Sequence, residues 1–352
     1  MPAILEADSL VKTYGNHVAV DGVSFAVEEG EVFGLLGPNG AGKTTTISML
    51  TGVLEPTSGT ARIGGHDILA EPTEVKRING LVPQDLALYP TLSARANLQF
   101  FGRIYGLRGK ALRERVDDVL EIVALADRAD EAIEKYSGGM KRRVNIAAGL
   151  VHQPRLLFLD EPTVGVDPQS RNHIFESVQR LNRDRRMSII YTSHYMEEVE
   201  LLCNRVAIVD QGRIIALDTI RNLIAMLGGG VIQIGLAQCD DEMLAAIRAL
   251  PTVVSAALVA PPVPAAGPDD DAPADKRSGG KKAPAAPIEP ASTEAPPAGP
   301  VLVKIETRRS QDALVQVIGY LNERDVAFTS IEIFEPNLES VFLHLTGKKL
   351  RE

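Results

Sequence analysis

The stretch Gly37-Pro38-Asn39-Gly40-Ala41-Gly42-Lys43-Thr44-Thr45 combines three glycines, one lysine and two adjacent hydroxyls. Glycines let a backbone curl until successive N–H groups face one anion, and a helix starting there adds its positive end. Gly37 to Thr44 match the phosphate-loop pattern G-x-x-x-x-G-K-[ST]. This points to capture of a nucleoside triphosphate, with Lys43 reaching the β- and γ-phosphates and the Thr44 hydroxyl ligating Mg2+. An acidic pair, Asp160-Glu161, closes the apolar run in LLFLDEP at 156–162. A carboxylate at the end of a buried strand is costly unless a cation or ordered water meets it. Asp160 is therefore expected to face the Mg2+, and Glu161 to polarise the water that attacks the terminal phosphate. By itself a strand-end Asp-Glu-Pro is as readily a turn or a helix cap; the phosphate loop upstream tips it toward chemistry.

These groups work only if strands and helices deliver them to one place. VFGLLG at 32–37 is short, apolar and glycine-terminated, which predicts a buried strand feeding the loop; from Lys43 the period turns helical through Leu50. RLLFLD at 155–160 and SIIYTS at 188–193 predict further buried strands, each followed by a helical stretch. Alternation of apolar and polar residues over 4–34 predicts antiparallel strands, and apolar spacings of three and four within 91–150 predict an inserted helical subdomain at about 85–153. Together they predict an α/β domain over residues 1–220, with ligands at the carboxyl ends of its strands. Residues 221–260 and 301–346 read as two βαβ halves, a small α+β domain of ferredoxin-like type. Between the halves, residues 261–300 hold 11 of the 22 prolines, ten alanines and no aromatic residue, the composition of a disordered insertion.

The chain has 352 residues, enough for one large and one small domain, each with a core. Its formal net charge of −9 argues against a nucleic-acid partner, which demands an excess of Lys and Arg. Cys203 and Cys239 stand far apart without metal-ligand spacing and read as reduced packing residues. The opening MPAILEADSL lacks the features of a signal peptide, and no segment approaches the ~20 apolar residues of a spanning helix. A membrane role is therefore expected to come through a partner.

With its motifs in this order, the chain resembles the ATP-binding subunits of ABC transporters over roughly residues 4–220, and YSGGMKRR at 136–143 resembles the family signature. The resemblance implies a phosphate-loop NTPase fold with an inserted helical subdomain. It also implies a homodimer or heterodimer with two ATPs at its interface, in which Ser137, Gly138 and Gly139 bind the γ-phosphate of ATP held by the opposite subunit. A hydroxyl and bare amides opening a helix suit an anion, although SGG alone would read as a helix N-cap. Met140 stands where the commonest family form has glutamine, a variant similar to that of drug-type and lipid-type exporter subunits. By the same resemblance Tyr14 stacks on adenine. Gln84, in LVPQD, senses Mg2+ and the attacking water and faces the membrane partner. Asp167, in VGVDP, links the two sites across the dimer, and His194, in YTSHYMEE, contacts the γ-phosphate. The histidines at 17, 66, 152, 173 and 344 read as structural or solvated. PNLESVFLHLTGKKLRE, from Pro336, resembles the closing segment of exporter ATPases that pair with ABC-2-type permeases.

The implied protein is an ATPase peripheral to the cytoplasmic face of the cell membrane. It couples closure of a dimer over two Mg2+·ATP to export through a separate permease, reached by a surface near Gln84 that includes Leu86, Leu88, Tyr89 and Phe101. A non-transport ABC ATPase acting on DNA or ribosomes would need coiled-coil arms, zinc motifs, tandem cassettes or a basic face, and the sequence has none. A metabolic kinase would leave YSGGMKRR without a purpose. A binding module built on the βαβ pair stays open at this level.

Overall fold

The computed structural model describes residues 2–259 and 301–347; the expected disordered insertion at 261–300 lies outside them. The described residues form two units, one holding the chain up to Leu227 with the closing helix after Asn337, the other spanning Gly228–Pro336.

At the centre of the first unit are six strands in the order Arg213–Thr219, Arg205–Asp210, Val32–Leu36, Ser188–Ser193, Leu156–Leu159 and Asn79–Val82. All neighbours are parallel except the antiparallel edge strand Arg213–Thr219. Side chains alternate across a strand, so each central strand feeds two cores. Phe33, Leu35, Phe158 and Ile190 face a core shared with helix Lys43–Leu50 and an antiparallel sheet led by Ala3–Tyr14 and His17–Glu28. Phe25 of that sheet stacks on Phe33 with ring centroids 5.1 Å apart. Val32, Leu157, Leu159 and Tyr191 face the opposite core, which runs into the helices Ala94–Ile104, Gly109–Ile122 and Gly138–Leu150. Burying each such large apolar side chain stabilises the fold by roughly 1.5–3 kcal/mol.

The helical region is tied to the sheet by polar contacts as well. His152 Nε2 lies 2.8 Å from the Asn79 carbonyl, and its ring stacks on Tyr105 at 3.7 Å. Nδ1 is buried without a hydrogen-bond partner, and burial pulls the imidazole below its ordinary pKa. The folded protein therefore takes up this proton less readily than the unfolded chain. Its stability is expected to be intact above the ordinary imidazole pKa of ~6.5 and to fall as pH drops below it. His152→Phe keeps the stacking and removes the proton site, so its Tm should decline less between neutral and mildly acidic pH; parallel declines would contradict the assignment.

The second unit is a four-stranded antiparallel sheet in the order Val253–Val259, Val301–Thr307, Val231–Leu236, Phe328–Phe334. Helices Asp241–Arg248 and Ser310–Glu323 pack Leu244, Ile247, Val317 and Leu321 against Ile232, Ile234, Val303 and Ile305. Strand order and connections are those of the ferredoxin-like βαββαβ arrangement.

Two boundaries differ from expectation. Helix Ile220–Ala225 and the closing helix Leu338–Thr346, both assigned from sequence to the accessory domain, belong to the first unit. The reason is shared apolar burial: Leu223, Leu338, Val341 and Phe342 form one cluster with Met196, Val199 and Ile208. The Leu338 N–H also donates to Glu200 Oε1 at 2.6 Å.

Candidate active site

The strand Val32–Leu36 ends where the phosphate loop begins, and helix Lys43–Leu50 leaves from it. Gly42, at the helix start, sits at φ 102°, and a Cβ there would lie 2.5 Å from the Ala19 carbonyl oxygen. Only glycine fits such a backbone. The turn into the helix therefore depends on glycine at this position. Lys43 folds over it, 4% exposed, and donates to the carbonyls of Gly37 at 2.7 Å and Pro38 at 3.0 Å. Its ammonium also lies 3.0 Å from Glu161 Oε1.

Glu161 is 6% exposed and adopts φ 44°, the left-handed region, which costs a non-glycine residue on the order of 1–3 kcal/mol. Its N–H donates to Thr192 Oγ1 at 2.8 Å, and that hydroxyl lies 2.7 Å from Asp160 Oδ1. The other Glu161 oxygen accepts from Gln84 Nε2 at 3.4 Å and lies 3.3 Å from His194 Nδ1. That nitrogen is buried and makes no hydrogen bond. Three groups from three separate segments, Lys43, Gln84 and His194, thus converge on one carboxylate.

A cavity of about 450 Å3 takes in Tyr14, His17, Asn39, Gly40, the loop residues Gly42 to Thr45, Gln84 and Glu161. Tyr14 is half exposed at the rim, at the end of its strand. His17, its partner across the hairpin turn, lines the cavity as well although the sequence reading set it aside. Asp160 and His194 reach the site through Thr192 and Glu161.

Ser137, Gly138, Gly139 and Asp167 do not line that cavity. Ser137 caps helix Gly138–Leu150 by accepting the Met140 N–H at 3.2 Å, and Ser137 and Gly138 face solvent. A Cβ on Gly139 would overlap Ser170. Asp167 caps the next helix, accepting the Ser170 N–H at 2.9 Å, a bond that holds its carboxyl below the ordinary value. Met140 is buried in the helical core against Arg128 and Tyr136, so nothing polar is presented there.

Sequence reading missed two residues beneath the site. One is Arg142, 4% exposed on helix Gly138–Leu150. Glu198, 3% exposed on the helix after His194, accepts hydroxyls from Thr163 at 2.8 Å, Tyr191 at 2.9 Å and Ser193 at 3.0 Å, all on one oxygen. Burial and this carboxylate raise the Tyr191 pKa well above its ordinary value. No local pattern marks Glu198, because its partners come from other segments. Glu198→Ala strands three buried hydroxyls and should cost roughly 3 kcal/mol, whereas Glu198→Gln keeps an acceptor and should lose under half of that. Thermal melts of the two variants decide it; equal melting points would remove the network from the account.

Comparison with known proteins decides the family. Residues 20–164 match the family model described as ABC transporter. The linearmycin resistance ATP-binding protein LnrL of Bacillus subtilis is 41% identical over 350 residues, covering 99% of this chain and 100% of that one. The chain belongs to the ABC transporter ATP-binding proteins. The daunorubicin resistance ATP-binding protein DrrA2 of Streptomyces coeruleorubidus is 36% identical over 345 residues, 98% of this chain and 95% of that one. Among solved structures, cbiO1 of Clostridium perfringens, part of an ABC transporter complex, superposes with TM-score 0.59 at 27% identity, over 70% of this chain and 95% of that one. A dimeric ATP-binding cassette bound to ADP and Pi gives TM-score 0.57 at 24% identity over 61% and 98%, which shows the shared fold. As a member of this family the chain is an ATP-binding and ATP-hydrolysing subunit that works with membrane permease subunits. No helix among the described residues is long and apolar enough to cross a membrane itself.

Proposed function

We propose that this ABC ATPase drives export of a drug-like or lipid-like molecule through an ABC-2-type permease from the cytoplasmic face of the membrane. Two copies would close over two ATPs. The relatives named for linearmycin and daunorubicin resistance support the cargo class. The phosphate loop and Lys43 would hold the nucleotide and Tyr14 its base, with Ser137 to Gly139 of the opposite subunit on the γ-phosphate and Asp167 bridging the two sites. Thr44, Asp160 and Gln84 present a hydroxyl, a carboxylate and an amide, hard oxygen donors that suit Mg2+ completed by phosphates. Bound there, Mg2+ would neutralise charge on the phosphate oxygens.

Within the chain, Glu161 accepts a proton from the attacking water while Gln84 fixes its direction. Lys43 leaves Glu161 for the terminal phosphate, and His194, whose buried Nδ1 has a hydrogen bond to spare, supplies one at that phosphate. The observation that carries this reading is the meeting of Lys43, Gln84 and His194 on Glu161 at the mouth of a loop shaped for phosphate. Sedimentation of Glu161→Gln tests it: with Mg2+·ATP the mass should double, and with Mg2+·ADP it should not. A monomer at saturating ATP sinks the dimeric mechanism.

A further inference from the structure

Arg142 lies four residues into helix Gly138–Leu150 and is 4% exposed. An arginine carries five N–H donors, and here each meets a main-chain carbonyl. Nε donates to Pro162 at 2.8 Å, Nη1 to Pro83 at 2.7 Å and Gln84 at 2.8 Å, and Nη2 to Asp160 at 2.8 Å and Glu161 at 2.9 Å. Burial pulls its pKa down, and the charge of Asp160 is the largest opposing influence. A buried cation held by carbonyls alone is an expensive way to tie segments together. What it accomplishes is geometric: a planar, rigid fork joins three segments at once, which no neutral side chain spans.

The five acceptors belong to two stretches. One carries Gln84 and the other Asp160 and Glu161, the residues whose side chains meet at the nucleotide cavity. Glu161 has a left-handed backbone, which a non-glycine residue keeps only when its surroundings over-determine it. Arg142 supplies part of that constraint from below. The same helix starts at Ser137 and Gly138, which face solvent ~8 Å away along the helix axis.

We propose that Arg142 is a positioning residue that couples the two nucleotide sites of the dimer: helix Gly138–Leu150, seated on the partner's ATP by its first turn, sets Gln84 and Glu161 in its own subunit through the Arg142 fork. This rests on the dimeric reading above and adds a direction of communication, from one bound phosphate to the hydrolytic carboxylate of the other site. A rigid helix carries the displacement because Arg142, little more than one turn in from Gly138, ties the helix directly to both stretches.

The test uses full-length Arg142→Gln and Arg142→Lys, with ATPase kinetics and Mg2+·ADP affinity. ADP affinity reports the phosphate loop and should stay within about threefold of wild type. The kcat should fall about 30–100-fold in Arg142→Gln and about tenfold in Arg142→Lys, with the Hill coefficient for ATP dropping to about 1 in both. Lysine keeps the charge but cannot span five carbonyls, so it decides the matter should the glutamine variant not fold. Wild-type kcat and cooperativity in Arg142→Lys overturn the proposal, as does a lost kcat with cooperativity intact or a collapse of ADP affinity. An ATP-dependent Glu161→Gln dimer whose active parent shows no cooperativity overturns the coupling but keeps the dimer, which separates the two readings.

Discussion

Replacing Glu161 by Gln is expected to lower kcat by about three orders of magnitude while ATP remains bound. The substitution preserves size and leaves one oxygen to accept from Gln84 Nε2, so the geometry at the cavity mouth is retained. What disappears is the charge that would let this group accept a proton from the attacking water. It also frees Lys43, whose ammonium otherwise sits 3.0 Å from the carboxylate. Released from that pair, Lys43 is available to phosphate without first breaking a buried contact, so ATP affinity should equal or exceed that of wild type. Single-turnover measurement with labelled ATP separates the two effects. A variant that hydrolyses within tenfold of wild type would assign the proton acceptor elsewhere, and one that no longer binds ATP would make Glu161 a structural residue of the loop.

Lys43→Ala should act in the opposite sense on ATP affinity. Its ammonium is the loop's one side-chain cation, so ATP affinity is expected to fall at least about a hundredfold, matching a charge-assisted contact at the phosphates. The free protein should also be destabilised. Glu161, 6% exposed, loses its ion-pair partner, and removing one member of a buried pair costs roughly 3–5 kcal/mol. The open cavity beside it admits water, which places the expectation at the lower end, about 3 kcal/mol. Adding Glu161→Gln to Lys43→Ala should return most of that stability, because no charge is then left unpaired, but none of the ATP affinity. Denaturant melts of the two single variants and the double variant form a closed cycle. Additive losses in the cycle would show that the pair contributes nothing to the nucleotide-free fold. A Lys43→Ala protein with wild-type ATP affinity would remove the phosphate loop from the mechanism.

The sequence by itself determined the parts whose physics is local. The sharp turn within Gly37 to Thr45 was legible because it depends on glycines at set positions in one short stretch, and Gly42 sits at the positive φ that stretch requires. The strand Ser188–Ser193 and the two βαβ halves of the second unit were legible because burial writes itself as apolar runs and helical spacing. The tertiary structure alone decided what depends on partners distant in sequence. Arg142 reads as one more basic residue after a glycine pair, yet its acceptors lie about 20 and about 60 residues away. Glu198 looks like a helix-surface glutamate until Thr163, Tyr191 and Ser193 close on it. The closing helix carries the same apolar spacing whichever unit receives it, and only the shared burial of Leu338, Val341 and Phe342 with Met196 and Leu223 assigns it. Hydrogen bonds and apolar contacts across such separations leave no period in the chain, so they become visible only once the backbone has brought their ends together.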